Sequence, residues 1–367
     1  MSRHSQGCRS ESQTRRAHAR ACHAPFTATP LHLPILPPPR QSSRDCGNSL
    51  NAAAERALAS PTTYLKLLAT ALVWGATWIA GRVAVSEASP LAVASWRFLL
   101  AALLLGTLVV IHEGWPRWSF KEWLTLAALG ASGIFLYNLC FLYGLKMIEA
   151  GRGALVVALT PAVVAAGDWL LFRAPMSPTK AAGIALAMFG CLLVVTNGDP
   201  RLLLTGEVGL GEWLIIGCSV LWAVYTFVGR RGTRSLSPLA MTFGASLTGW
   251  GMLTVAALLQ GSLFVLTEVT WRGLSAIVFL GFFGTALAFT WYAEAVQRIG
   301  ATRSAAFINL VPVSAVILGA VLLDERLGVV VLFGGTLVIA GVIITNHAGA
   351  RLAAGVDGHD LAKQRKS

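Results

Sequence analysis

The chain has 367 residues, of which 55% are hydrophobic and only 13% charged, with a mean hydropathy of +0.65. Soluble domains carry roughly a quarter charged residues, so this composition excludes an ordinary soluble protein and points to lipid. The net charge of +12 is shared between both tails and the connecting loops, a pattern that suits membrane topology and speaks against nucleic acid as a partner.

Residues 1–60 carry eight Arg against three acids, with Pro25, Pro30, Pro34 and the run Pro37 to Pro39. They lack the apolar core of a secretory signal and cannot bury enough apolar surface to fold alone. Three readings stand: a disordered tail, a mis-annotated extension from an upstream start, or an Arg-rich organellar transit peptide.

Ten apolar segments of bilayer-spanning length follow, and helix is expected because lipid leaves open backbone groups without partners. The first, 63–81, carries Trp74 and Trp78. The second, 90–111, follows Ser89-Pro90 and holds Arg97. The third, 122–142, holds Tyr137 and Asn138, and the fourth, 150–172, holds Pro161 and Asp168. The fifth, 179–196, carries Gly183 and Gly190, and the sixth, 212–229, carries Trp222 and Tyr225. The seventh, 238–260, follows Ser237-Pro238. The eighth, 272–296, holds Trp291, Tyr292 and Glu294. The ninth, 302–323, holds Asn309 and Pro312, and the tenth, 327–346, carries Gly334 and Gly341. Residues 347–367 are polar and are expected to form a disordered tail.

The chain repeats itself. Trp74 matches Trp222, Gly81-Arg82 matches Gly229-Arg230, and Ser89-Pro90 matches Ser237-Pro238, all at an offset of 148; Pro161 matches Pro312, Gly183 matches Gly334 and Gly190 matches Gly341 at 151. The units are 62–197 and 210–346. Each has five spans, an odd number, so the second copy is expected to enter the membrane inverted. Inverted repeats are a design of secondary transporters, with the solute site near the midplane. Ten spans put both ends on one side. With the tails cytoplasmic, the inner loops hold nine basic residues and the outer loops six, which favours cytoplasmic termini.

Polar groups inside spans are costly and therefore candidates for function. Arg97, whose repeat partner is Ala245, could bind a solute carboxylate, set a gate, or cap backbone carbonyls. Asp168 and Glu294 are proton-coupling candidates or interfacial members of ion pairs, Glu294 with Arg298 at i,i+4. Asn138 and Asn309 could bind solute or tie helices together. Trp74, Trp78, Tyr137, Trp222, Tyr225 and Trp291 either line a cavity or anchor at the interface. Pro161 and Pro312 are expected to kink their helices. The glycines of the fifth and tenth spans allow close packing, between the halves or with a second copy in a homodimer. No nucleotide-binding loop, metal motif or paired intramembrane Asp occurs, so neither enzymatic activity nor a cofactor is expected.

The stretches WGATWIAGRVA (Trp74 to Ala84), SPLAVASWRFLLAALLL (Ser89 to Leu105) and LVPVSAVILGAVLLDERLGVVVLFGGTLVIAGVII (Leu310 to Ile344) resemble the drug/metabolite transporter superfamily of the ten-helix EamA type. The first copy departs from the pattern, with Phe172-Arg173-Ala174 where the second has Asp324-Glu325. The resemblance implies transport of small metabolites such as amino acids, with export the expected direction, through a cavity lined by helices 1, 3, 4, 6, 8 and 9 of a cell inner-membrane protein. A nucleotide-sugar or organic-phosphate carrier is the alternative within transport; a membrane scaffold or receptor is the alternative outside it.

Overall fold

The computed structural model describes residues 61–199, 201–202, 208–232, 236–265 and 269–364. All three readings of residues 1–60 lie outside the described residues.

Ten helices are long and apolar enough to cross a membrane, in the predicted order. They are α1 (Pro61–Glu87), α2 (Pro90–Glu113), α3 (Phe120–Met147), α4 (Ala150–Val157 and Thr160–Phe172), α5 (Pro178–Thr196), α6 (Leu210–Gly232), α7 (Pro238–Leu259), α8 (Trp271–Ile299), α9 (Ala301–Ile308 and Leu310–Leu323) and α10 (Val329–Gln364). Ser177 and Ser237 cap α5 and α7, each accepting a hydrogen bond from the amide three residues on, with Pro at the first helical position. Helical backbone in α10 runs on to Gln364, into the segment that composition marks as a polar tail. That stretch is rich in Ala and has no Pro to stop it.

Four spans are interrupted, in matching pairs. In α3 and α8 the helix widens to π-type turns, at Gly130–Leu136 and Leu280–Leu287. In α4 the helix breaks at residues 158–159 ahead of Pro161, and in α9 it breaks at Asn309 ahead of Pro312. Proline cannot donate to the carbonyl four residues back. In α4 the Thr160 hydroxyl donates to that freed carbonyl, Val157 O, at 2.6 Å. The expected kinks are therefore breaks a few residues upstream of each proline.

The two halves interlock. α1 packs on α8 and α9, α6 packs on α3 and α4, α2 packs on α7, and α5 packs on α10. We call the face where α1 begins and α10 reaches Ala348 proximal, and the opposite face distal. Lys66–Glu294 and Asp168–Arg230 pair at the proximal face, while Arg152–Glu212 pairs at the distal face.

The α5–α10 contact is the closest. A Cβ at Gly190 would stand 2.6 Å from Gly334 O, and one at Gly341 would stand 2.5 Å from Gly183 O. The glycine stripes thus face each other within one chain and join the halves; a second chain is not what they pack against. Lipid offers no hydrophobic drive between helices, so such backbone-to-backbone packing is what holds them. Gly190→Leu should cost about 1–3 kcal/mol by overpacking and lower the unfolding temperature of detergent-solubilised protein. Gly251→Ala, where a Cβ meets nothing within 4 Å, should leave it unchanged or raise it slightly.

Candidate functional site

The π-type turns define the middle of the bundle. A wide turn leaves carbonyls displaced from the regular ladder, and side chains repair them. In α3, Asn138 Nδ2 donates to Ile134 O at 2.7 Å and Ser132 Oγ to Ala128 O at 2.8 Å. In α8, Thr285 Oγ1 donates to Leu280 O, five residues back, at 3.0 Å. Each turn carries two glycines three apart. A Cβ at Gly133 would stand 2.2 Å from the Tyr225 ring, and one at Gly281 would stand 2.7 Å from Arg97 O. The glycines let α6 and α2 reach the turns.

Arg97 joins the two turns. Its Nη1 donates to Asn138 Oδ1 at 3.2 Å and its Nη2 to Thr285 Oγ1 at 3.1 Å. The guanidinium lies 4.9 Å from the Phe98 ring centroid. Arg97 is only 9% exposed, and its Nε is buried with no hydrogen-bond partner. No carboxylate pairs with it among the described residues, so its charge is held by neutral dipoles. A buried charge of that kind attracts any anionic group that can reach it.

Aromatic rings surround this centre in two groups. On the α3–α6 side Tyr225, Trp222, Tyr137, Phe141 and Trp78 form a chain of neighbours, with centroid separations of 5.2, 5.5, 6.1 and 4.9 Å. On the α1–α8 side Trp74 sits 5.4 Å from Phe289 and 5.5 Å from Tyr292, and its indole N–H donates to Gly284 O at 3.1 Å. Aromatic pairs at these distances rigidify the wall they form.

One hollow enters the bundle and a second lies at its distal surface. The smaller, about 340 Å³, enters from the proximal face past Asp168, Lys180 and Asn346 and ends at Thr160, Pro161 and Trp222. The larger, about 470 Å³, is a depression among distal loop residues including Glu87, Ser89, Lys146 and Gln260. Size favours the distal hollow, but it touches none of the predicted site residues. The proximal hollow reaches the aromatic chain and the break in α4, so it is the better candidate for a solute path.

The predicted residues thus separate. Arg97, Asn138, Tyr137, Trp222, Tyr225 and Trp74 meet around the interrupted helices. Trp78 is 4% exposed and packed on Phe141, in core rather than in the hollow. Asn309 sits at the α9 break, with no side-chain hydrogen bond among those described, and Trp291 is half-buried on α8. Asp168 lies apart from the centre, in a two-pronged contact with Arg230 whose Nη2–Oδ2 arm is 2.9 Å. Glu294 lies between Lys66 at 2.7 Å and Arg298 at 2.6 Å. The cysteines Cys140, Cys191 and Cys218 are free thiols. Sequence reading missed Thr285 and Thr160. The signal for Thr285 was present as Gly281-x-x-Gly284-Thr285, which parallels Gly130-x-x-Gly133 ahead of Asn138.

Comparison with known proteins matches residues 61–196 and 209–347 to the EamA-like transporter family. The chain is 31% identical over 281 residues to "Uncharacterized transporter YyaM" of Bacillus subtilis (strain 168), covering 76% of this chain and 92% of the relative. It is 30% identical to an "Uncharacterized transporter" of Archaeoglobus fulgidus, covering 77% and 96%. A "Probable terminal-alkyne amino-acid exporter" of Streptantibioticus cattleyicolor is 26% identical, covering 76% and 92%. A solved crystal structure aligns with a TM-score of 0.55 at 18% identity, over 78% of this chain and 98% of the other, which shows a shared fold. With two family matches that together span the ten helices, and relatives that are transporters and not enzymes, the chain is a multi-pass membrane transporter of the EamA-like family.

Proposed function

We propose that this transporter exports small metabolites carrying a carboxylate, amino acids among them, across the plasma membrane by alternating access between two inverted five-helix halves, with both termini cytoplasmic. The observation that carries the reading is the central Arg97, a buried cation held only by neutral partners, where interrupted helices from both halves meet. A solute carboxylate supplies the charge partner that none of the described residues provides. The aromatic chain, which meets the floor of the proximal hollow at Trp222, offers apolar surface for a side chain. The amino-acid exporter among the relatives supports the solute class. The loop charge bias supports a cytoplasmic proximal face, and the exchange of helix partners between halves supports the inversion. The organic-phosphate alternative calls for several deep cations, whereas Arg97 is the one buried cation among the described residues.

Proteoliposomes preloaded with radiolabelled amino acids test this directly. Saturable efflux, inhibited by unlabelled carboxylate solute and not by the matching amine, is the expected result; absence of flux across amino-acid and carboxylate panels would sink the solute assignment. Arg97→Gln should lower flux at least about tenfold while the protein stays monodisperse. Arg97→Lys should not restore it, because an ammonium cannot fork between Asn138 and Thr285.

Asp168 and Arg230 are proposed to act as a proximal gate, with Asp168 and Glu294 the acids available for proton coupling. The Arg230 side chain is 52% exposed, so the pair should contribute about 1 kcal/mol or less to stability. Its effect should appear in kinetics. Reversing either charge alone (Asp168→Arg or Arg230→Asp) should slow flux, and the double reversal should recover most of it. Equal impairment of single and double variants would exclude a gating pair.

A further inference from the structure

The two ends of the bundle are built on the same backbone with different chemistry. α4 and α9 each end in a left-handed residue, Arg173 (φ 52°) and Asp324 (φ 54°). The next amide, Ala174 N or Glu325 N, then bonds the carbonyl six residues back, Asp168 O or Gly319 O, at 3.2 Å in both. These pairs are related by the repeat offset of 151, so Ala174 and Glu325 occupy one structural position. Only the second half places an acid there.

That acid crosses to the other half. Glu325 Oε1 accepts from Ala150 N at 2.7 Å and Oε2 from Gly151 N at 2.9 Å, the first two amides of α4. The first amides of a helix lack intrahelical partners and carry the positive end of its dipole, so a carboxylate held on both is a strong charge-assisted contact. The fit is close. A Cβ at Gly319 would stand 2.5 Å from Glu325 Oε2, and one at Gly151 would stand 3.3 Å from the same oxygen. The position equivalent to Gly319 in the first half is Asp168, whose carboxylate turns instead to Arg230. The equivalent helix start, at Ala301, follows Gly300 with no side-chain cap.

We propose that Glu325 is the distal latch of the transport cycle. It fastens the start of α4 to the end of α9, seals the distal face, and so favours the state whose hollow opens proximally. The first half carries Ala174 at the mirrored position, so among the described residues the proximal face has no such clamp, and its contacts between halves are the more exposed ion pairs Asp168–Arg230 and Lys66–Glu294. The latch must release for the distal face to open, which makes Glu325 a positioning residue for the transport step and not a solute ligand. The inference rests on the alternating-access reading but is tested without solute.

The reporter is a single cysteine at Ala154, 3% exposed and one turn deeper than Ala150 and Gly151 on the same face of α4. It is introduced into the full chain with the native cysteines replaced by Ser or Ala. Labelling in proteoliposomes by a membrane-impermeant maleimide from the distal side is followed over time. Glu325→Gln keeps size but turns an amide donor toward two amide donors, and should raise the labelling rate at least about fivefold. An unchanged rate in folded, monodisperse protein overturns the latch. Ala174→Glu, which removes no contact, should do the reverse at the other face. It installs the missing clamp and should slow proximal-side labelling of a cysteine at Val164, which lines the proximal hollow, by several fold. Failure of that variant to slow labelling overturns the asymmetry argument even where Glu325→Gln does not fold. A labelling shift with no flux would leave the latch standing and remove the solute assignment; flux with unshifted labelling would do the opposite.

Discussion

Lipid cannot repair a broken backbone ladder, and three of the four interruptions in this bundle are repaired by a particular side chain. Val157 O, freed by Pro161, takes the Thr160 hydroxyl. The wide turn of α3 takes Asn138 and Ser132, and that of α8 takes Thr285. Asn138 and Thr285 then present their remaining acceptors to Arg97. The guanidinium therefore closes a chain of hydrogen-bonded groups through its two Nη atoms, with oxygen atoms that the interruptions supply inside the bundle. Had α3 and α8 been regular helices, no acceptor pair would stand ready for it, and burying it would cost several kcal/mol.

The architecture was legible because lipid allows so few solutions. Apolar runs of sufficient length gave all ten helices in order, and matched residues such as Trp74 and Trp222 gave the repeat. The interruptions were only half legible. Pro161 and Pro312 announced breaks, since a missing N–H is a property of one residue. The π-type turns had no such marker. They arise where glycine pairs admit a neighbouring helix, Tyr225 against Gly133 and Arg97 O against Gly281, and that is a tertiary circumstance. The same limit applied to Asp168 and Glu294. Their charge marked them in sequence, but only the fold could show Arg230 and Lys66 within reach. Glu325 stood in a visible difference between the copies, yet its partners are backbone amides 174 and 175 residues away, which carry no side-chain signature at all.

Ion pairs join the halves at both faces, Arg152–Glu212 distally and Lys66–Glu294 and Asp168–Arg230 proximally, and among the described residues the distal face alone adds a carboxylate seated on the first amides of a helix. Two carboxylate–amide bonds at the distal side depend on exact placement of α4 against α9. The ion pair at the proximal side tolerates looser geometry, since charges attract over several ångströms and Arg230 is half in solvent. Between them the α5–α10 glycine contact binds the halves where no polar group is needed.

Fusion of the halves into one chain has an electrostatic consequence at Arg97. Its counterpart in the second copy is Ala245. An ancestor assembled from two identical five-helix chains, one inverted against the other, would have carried two guanidiniums at mirrored depths, and their mutual repulsion in a poorly polarisable interior would have weighed against assembly. Tandem duplication, by letting the copies diverge, makes a solitary central charge available to the protein in a way that a homodimer could not.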